Sequence, residues 1–431
     1  MISRETWISV IKDFVSGEEP ETVKRDIKIT LDIPIRRAIA IIGPRRCGKT
    51  YLMYQLIHEL VVDRKVKKSR MLYVNFENDV LVGCTTEDLR DMMGIFYEIY
   101  PENTEEKTYL FLDEIQNVDD WESFARSLID AGNVQLAIAG SSAKLLAREI
   151  ATSLRGRTLS YYVYPFSFNE FLSMKKIGVE RYVSSKEKAV IVHELDDYMK
   201  SGYPEGILFR NGLQEILKDI LNVTIYRDII ERFGVKNQKL LRLMLRAFIS
   251  SKYFSVNKFY NYAKSLGIKT SKDSIYAYLN HVTDSLSFFV LKKYSGSYKE
   301  PERTLSKTYV VDNGFFLLNN VNDMGRLLEN VVFVELLRRS SPDQDLFYFE
   351  EDKKEVDFVV SNGTKVEKLI QVAYDPRAEE TKNRETRALG FASDRVHCND
   401  LLVITWDYEA EEKVKGKKIR FVPLWKWLLN L

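Results

Sequence analysis

Apolar residues fall along the chain in short unbroken runs separated by stretches of helical spacing. Residues 37–43 (RAIAIIG), 109–112 (YLFL) and 134–140 (VQLAIAG) are apolar at nearly every position, which predicts strands buried on both faces. Residues 51–62 (YLMYQLIHELVV) carry apolar side chains at helical spacing, and residues 158–164 form a further β-like run. Further along, residues 256–266 read as a helix, Gly267 as a turn, and Ser271 as the cap of a second helix over 272–285. Two strands follow within 288–311, around Ser295-Gly296-Ser297, so this segment reads as a winged helix. The last hundred residues predict an amphipathic helix (325–338) and strands over 346–350, 355–360 and 368–374. The last two strands are joined by Ser361-Asn362-Gly363. A helix over 381–389, a strand over 400–406 and a closing apolar helix to 429 complete the reading.

Chemistry enters at the first strand. It runs into Gly43-Pro44-Arg45-Arg46-Cys47-Gly48-Lys49-Thr50, which fits the G-x-x-x-x-G-K-[ST] phosphate loop, and a helix follows. The glycines let backbone N–H groups close on phosphate oxygens at a helix N-terminus. Lys49 is expected to reach the β- and γ-phosphates, and the Thr50 hydroxyl to ligate Mg²⁺. The 109–112 strand ends in Asp113 and Glu114. The first is placed to hold Mg²⁺, the second to polarise the attacking water. Ser142, just past the 134–140 strand, would orient that water. Arg155 and Arg157 end the next helix, either as a finger on a neighbouring subunit's phosphoryl group or as cations suited to a helix C-terminus. ATP and Mg²⁺ are the cofactors these residues imply.

Composition narrows the class. Of 431 residues, 45% are hydrophobic and 29% charged, as expected of a chain that buries real cores. Three cysteines exclude a disulfide framework, and four scattered histidines speak against a His-built zinc site. No apolar run approaches the ~18 residues that span a bilayer. Charges interrupt the N-terminal segment where a signal peptide would be apolar, so a soluble cytoplasmic protein without membrane contact is expected. The net charge of +2 hides an asymmetry. Residues 236–307 hold 14 basic and 4 acidic side chains, a net +10, so the rest of the chain carries −8. DNA is therefore the expected partner of the winged helix. Lys269 and Lys272, with Thr270, Ser274 and Tyr276, would enter the major groove. Lys292, Lys293, Lys299 and Arg303 would contact phosphates. The other reading is a docking module whose lysines are merely solvated.

GPRRCGKT, LFLDEIQNVDDWE, IAGSSAKLL, SLRGR and YPFSFNEFL, in this order, resemble the AAA-type archaeal ATPases. More narrowly, they resemble the prokaryotic family that joins such an ATPase to a C-terminal domain of unknown function; Tyr226-Arg227-Asp228-Ile229 is also typical of it. The resemblance implies a parallel sheet in which the phosphate-loop strand is central and the Asp113 strand is not adjacent to it. It also implies a helical lid. The C-terminal hundred residues resemble the restriction-endonuclease-like core, in which a helix Glu, a strand Asp and an E/Q-x-K strand gather Mg²⁺. Mapped by that resemblance, these are Glu329, Asp357 and Gln371, with Ala373 where the lysine belongs. Lys365, Lys368 or Lys382 would have to replace it, or the fold is degenerate and kept for binding or assembly. The expected organisation is an α/β P-loop core over 1–175, a lid over 176–235, a winged helix over 236–312 and an α/β endonuclease-like domain over 313–431. The expected activity is Mg²⁺-dependent ATP hydrolysis coupled to DNA. A nucleotide-gated switch that docks a protein partner and an ATP-dependent nuclease of defence or repair are the alternatives. A finger arginine would make the protein a homo-oligomer.

Overall fold

The chain divides into two units, Met1–Tyr164 and Pro165–Leu431. The computed structural model describes residues 1–31, 33, 35–140, 154, 156–295, 305–414 and 416–431. Among the described residues, no helix is long and apolar enough to cross a membrane.

In the first unit, α1 (Arg4–Ser16) precedes β1 (Ala38–Ile42), α2 (Lys49–Val62), β2 (Met71–Asn75), α3 (Thr86–Ile99), β3 (Thr108–Asp113), α4 (Trp121–Ala131), β4 (Val134–Gly140) and β5 (Thr158–Tyr162). The strands pair in the order β2-β3-β4-β1-β5, all parallel. β1 is thus flanked on both sides and β4 separates it from β3, as the resemblance implied. Every residue of β1, β3 and β4 is buried, which is why these strands appear as unbroken apolar runs. Ile39, Ile41, Phe111, Ala137 and Ala139 pack on Leu52, Met53, Leu56 and Ile57 of α2. Each fully buried aliphatic side chain contributes about 1.5–3 kcal/mol. The helix that begins at the phosphate loop is thereby fixed to the sheet that ends in the carboxylates.

The second unit begins with α5 (Phe168–Met174), α6 (Ser185–Tyr198), α7 (Pro204–Leu208) and α8 (Leu213–Val223). The chain then widens into a π-helical stretch, Thr224–Glu231, which contains the Tyr226-Arg227-Asp228-Ile229 motif. Next come α9 (Gln238–Ser250), β6 (Tyr253–Phe254), α10 (Val256–Ser265), α11 (Lys272–Asp284), β7 (Phe288–Leu291) and β8 (Ser306–Val310). Ser271 caps α11 by accepting the Ser274 N–H. β6, β8 and β7 form a small antiparallel sheet with β8 in the middle.

After α12 (Gly314–Leu317) come α13 (Met324–Arg339), β9 (Gln344–Glu351), β10 (Lys354–Asn362), β11 (Lys365–Ala373) and α14 (Glu379–Val396). β12 (Leu401–Thr405), β13 (Ala410–Val414), β14 (Lys417–Pro423) and α15 (Leu424–Leu429) finish the chain. The six strands run β13-β14-β12-β11-β10-β9, with β11, β12 and β14 parallel and the other neighbours antiparallel. α13 differs from the amphipathic helix expected of residues 325–338. All of Leu327 to Leu336 are buried, so it runs inside the unit and not across its surface. Trp425 is buried in the core, and the Arg339 guanidinium covers the Trp427 ring at 4.5 Å.

A polar knot ties the helical segment, the end of β8 and α13 together. Asn313 donates to the Met199 and Leu327 carbonyls, and Asn330 donates to Asn313 and accepts the Val310 N–H. Asp312 accepts the N–H groups of Gly202 (2.7 Å) and Gly314 (2.8 Å). Burial outweighs these hydrogen bonds and pushes Asp312 up to about 6. Since its folded value lies above that of an unfolded aspartate, the native state holds the extra proton between about pH 4 and 6. Stability therefore falls as pH rises through that window. Asp312→Asn should remove this part of the fall. Urea denaturation at pH 4.5 and 7 should show wild type losing more stability than the variant, by on the order of 2 kcal/mol.

Candidate functional site

The phosphate loop is bent by two left-handed residues, Arg46 (φ 59°) and Gly48 (φ 97°). A Cβ on Gly43 would lie 2.1 Å from the Val163 carbonyl oxygen, so only glycine fits where β1 turns into the loop. Cys47 is wholly buried, and burial pushes its thiol up. Pro44 is buried and Arg46 exposed, while Arg45 pairs with Glu77 at 3.0 Å. Lys49 opens α2 with its ammonium 3.1 Å from the Pro44 carbonyl and 3.6 Å from Glu114. The loop leads straight into the N-terminus of α2, with backbone N–H groups at the helix start and the buried Lys49 ammonium beside them.

The Thr50 hydroxyl donates to Asp113 Oδ2 at 2.6 Å, the pairing that a shared Mg²⁺ would require of these two groups. Burial, then the neighbouring Glu114 charge, pushes the Asp113 carboxyl up, against the hydrogen bond from Thr50 and the Lys49 charge. A divalent cation here would relieve that penalty. The residues present therefore fit ATP·Mg²⁺, with Thr50 and Asp113 toward the metal and Lys49 toward phosphate. Glu114 leaves the strand at φ 50°, and its carboxylate accepts from Gln116.

Arg157 stands just before β5, whose Thr158 pairs with Ala38 at the start of β1, so it lies at the end of the sheet opposite the loop. Its guanidinium, 42% exposed, pairs with Asp130. Ser142 and Arg155 lie outside the described residues, as do Lys299 and Arg303. Lys269, in the turn before α11, and Lys272, at its first position, are exposed. Lys292 is exposed and Lys293 half-buried, and their backbone runs beside β9, where the Tyr348 N–H donates to the Lys292 carbonyl.

Glu329, Asp357 and Gln371 do come together. β10 departs from its register with β9 between Val356 and Val359, which places Asp357 in an irregularity. Asp357 accepts the Val372 N–H, and its own N–H donates to Gln371, whose amide donates to Glu385. The lysine there is neither Lys365, which is exposed, nor Lys368 or Lys382. Those two pair with Asp400 and Glu412 because their strand and helix positions face away. Lys307 of β8 supplies the ammonium, with Lys252 beside it.

With this geometry in view, relatives are informative. Residues 35–172 match the AAA domain, and residues 324–427 match the domain of unknown function DUF4143. The uncharacterized protein MJ1544 of Methanocaldococcus jannaschii is 36% identical over 98% of this chain and 94% of its own length. The chain belongs to the family of that archaeal protein. An uncharacterized protein of Haemophilus influenzae is 29% identical over 99% of this chain and 98% of its own. Among solved structures, the Aeropyrum pernix ORC1 protein in complex with DNA overlaps 76% of this chain and 94% of its own, at 12% identity and a TM-score of 0.28. Overlap that shallow supports no functional argument.

Two residues of the first unit were not foreseen. Arg25 is buried under the loop, where its guanidinium donates to the Cys47 carbonyl (2.8 Å) and the Tyr164 carbonyl (2.7 Å). The Tyr73 hydroxyl donates to Asp113 at 3.1 Å. Neither belongs to a motif, and only the fold brings them in. Arg25→Ala would leave two buried carbonyls short of a donor. It is expected to destabilise the first unit by about 2–4 kcal/mol and to weaken ATP·Mg²⁺ binding about tenfold, read by thermal denaturation and nucleotide titration.

Proposed function

We propose that the protein binds ATP·Mg²⁺ and hydrolyses it, and that it does so on or with DNA. The convergence of Lys49, Thr50, Asp113 and Glu114 at the end of one sheet carries the ATPase half. Lys49 would hold the terminal phosphates and Thr50 and Asp113 the metal. Glu114, freed from Lys49 by the incoming phosphate, would orient and polarise water. Mg²⁺ would neutralise charge on the phosphate oxygens. Arg157, and with it a homo-oligomer, enters only if its pairing with Asp130 yields to a neighbour's nucleotide.

The division into core (1–175), lid (176–235), winged helix (236–312) and endonuclease-like domain (313–431) is part of this reading. Three helices with a three-stranded antiparallel sheet support the winged helix. The order α13-β9-β10-β11-α14-β12, an antiparallel meander followed by a parallel strand, supports the last domain. The DNA half rests on Lys269 and Lys272, exposed just before α11 and at its first position, with Tyr276 44% exposed one turn on. Cleavage is expected to be weak or absent with Mg²⁺ or Mn²⁺, since Gln371 and Ala373 replace a carboxylate and a lysine.

Steady-state ATP turnover, alone and with duplex DNA, single-stranded DNA or RNA, tests the proposal. Glu114→Gln should bind ATP yet turn over at least about 100-fold more slowly. Lys269→Glu/Lys272→Glu should weaken DNA binding and lower the salt slope by about two. Turnover indifferent to every nucleic acid would favour a switch that docks a protein partner.

A further inference from the structure

Alternation along β8 sends Lys307 and Tyr309 to one face and Thr308 and Val310 to the other. The first face meets α13 and β10. Lys307 is 0% exposed, and its ammonium lies 2.6 Å from Glu355, 2.7 Å from Asp357 and 3.0 Å from Glu329. An ammonium has three N–H donors, and here three carboxylates take one each. Lys252, 42% exposed, closes the rim with its own ammonium 3.1 Å from Glu329, 3.2 Å from Glu355 and 3.7 Å from Asp357. The Tyr309 hydroxyl donates to Glu329 at 2.7 Å, and Tyr253 donates to Glu355. The Tyr309 ring stacks on Phe333 of α13 with centroids 4.1 Å apart.

We propose that this acidic centre is a lysine-binding pocket whose ligand is the chain's own Lys307, and that it locks β8 to α13 and β10. Two buried carboxylates beside a third that is 30% exposed are untenable without a cation, and a divalent ion would use these same oxygens at about 2.0–2.6 Å. The ammonium already occupies the point where they converge, and a second cation there would be repelled by it. Three carboxylates face two ammoniums, so the pocket keeps a surplus of negative charge even when locked. Burial and the Glu329 charge accordingly push Asp357 up. Burial also opposes the ionised form of Glu329, but Lys307 and Lys252 outweigh it and hold that carboxyl low. The inference rests on the endonuclease-like reading only in its comparison with a metal ion.

The test is thermal denaturation of the full chain without nucleotide, for wild type, Lys307→Met and Lys307→Met/Asp357→Asn, each with and without MnCl₂. Lys307→Met should melt roughly 5–10 °C lower, because it strands the carboxylates. Removing one of those charges with Asp357→Asn should restore much of the loss. Mn²⁺ should raise the melting temperature of Lys307→Met more than that of wild type. If Lys307→Met does not fold, a folded double variant supports the lock, and failure of both overturns it. A Lys307→Met protein as stable as wild type, or one that Asp357→Asn does not improve, overturns it as well. Rescue by Asp357→Asn without any response to Mn²⁺ keeps the lock and removes the endonuclease-like reading instead.

Discussion

The second unit is organised around one buried ammonium. Lys307 sits on the central strand of the small sheet and reaches carboxylates on α13 and β10. Its desolvation is offset only if all three stay close, so the strand, the helix and the meander cannot separate without stranding a charge. The Asn313–Asn330 and Asp312 hydrogen bonds act at the end of the same strand, where residues 199–202 arrive. Neither set of contacts is large, but each leaves buried polar groups unsatisfied when broken. That penalty exceeds the net gain from forming them. The helical segment and the C-terminal fold therefore belong to one unit.

The two acidic clusters answer the same electrostatic problem differently. Asp113 is buried and pushed up by that burial, and it has a hydroxyl from Thr50 and another from Tyr73 as immediate partners. Lys49 stands beside Glu114 and is only 3.6 Å from it. Such a cluster gains when a polyphosphate with its metal arrives, because every member is then better compensated. The Glu329–Asp357 cluster is compensated by a side chain from its own chain. One arrangement is built to exchange its cation and the other to keep it.

Much of the first unit was legible because its chemistry lies along a continuous stretch. GPRRCGKT follows one buried strand and Asp113-Glu114 ends another, so motif and periodicity agree. Arg25 escaped notice because a buried arginine that braces carbonyls has no spacing signature. Lys307 left a clue: a lysine in SKTYVV sits where a central strand expects an apolar residue. A charged residue in such a run signals a buried partner, but which partner depends on contacts across some 20 to 50 positions. The wrong choice among Lys365, Lys368 and Lys382 came from searching near Ala373 in sequence rather than in space. α13 was misread because Glu329, Asn330 and Glu335 look like a polar face. Each is in fact buried against a specific partner.

Charge counting must be corrected by burial before it speaks about partners. Of the basic residues between 236 and 307, Lys307 and Lys252 are turned toward carboxylates of the same unit, and Lys293 is half-buried beside β9. The net +10 of that segment therefore overstates the field it projects into solvent. What remains outward is spread along the segment, from Lys236, Arg242 and Arg246 through Lys258 and Lys264 to Lys292, and it includes Lys269 and Lys272, which flank the start of α11 ahead of an exposed Tyr276. Lys269 lies in the turn before α11, Lys272 at its first position and Tyr276 one turn further on. Lysines so placed suit phosphate contacts. Lys307 and Lys252 thus serve the fold, and the exposed cations that remain are the ones a DNA contact would draw on.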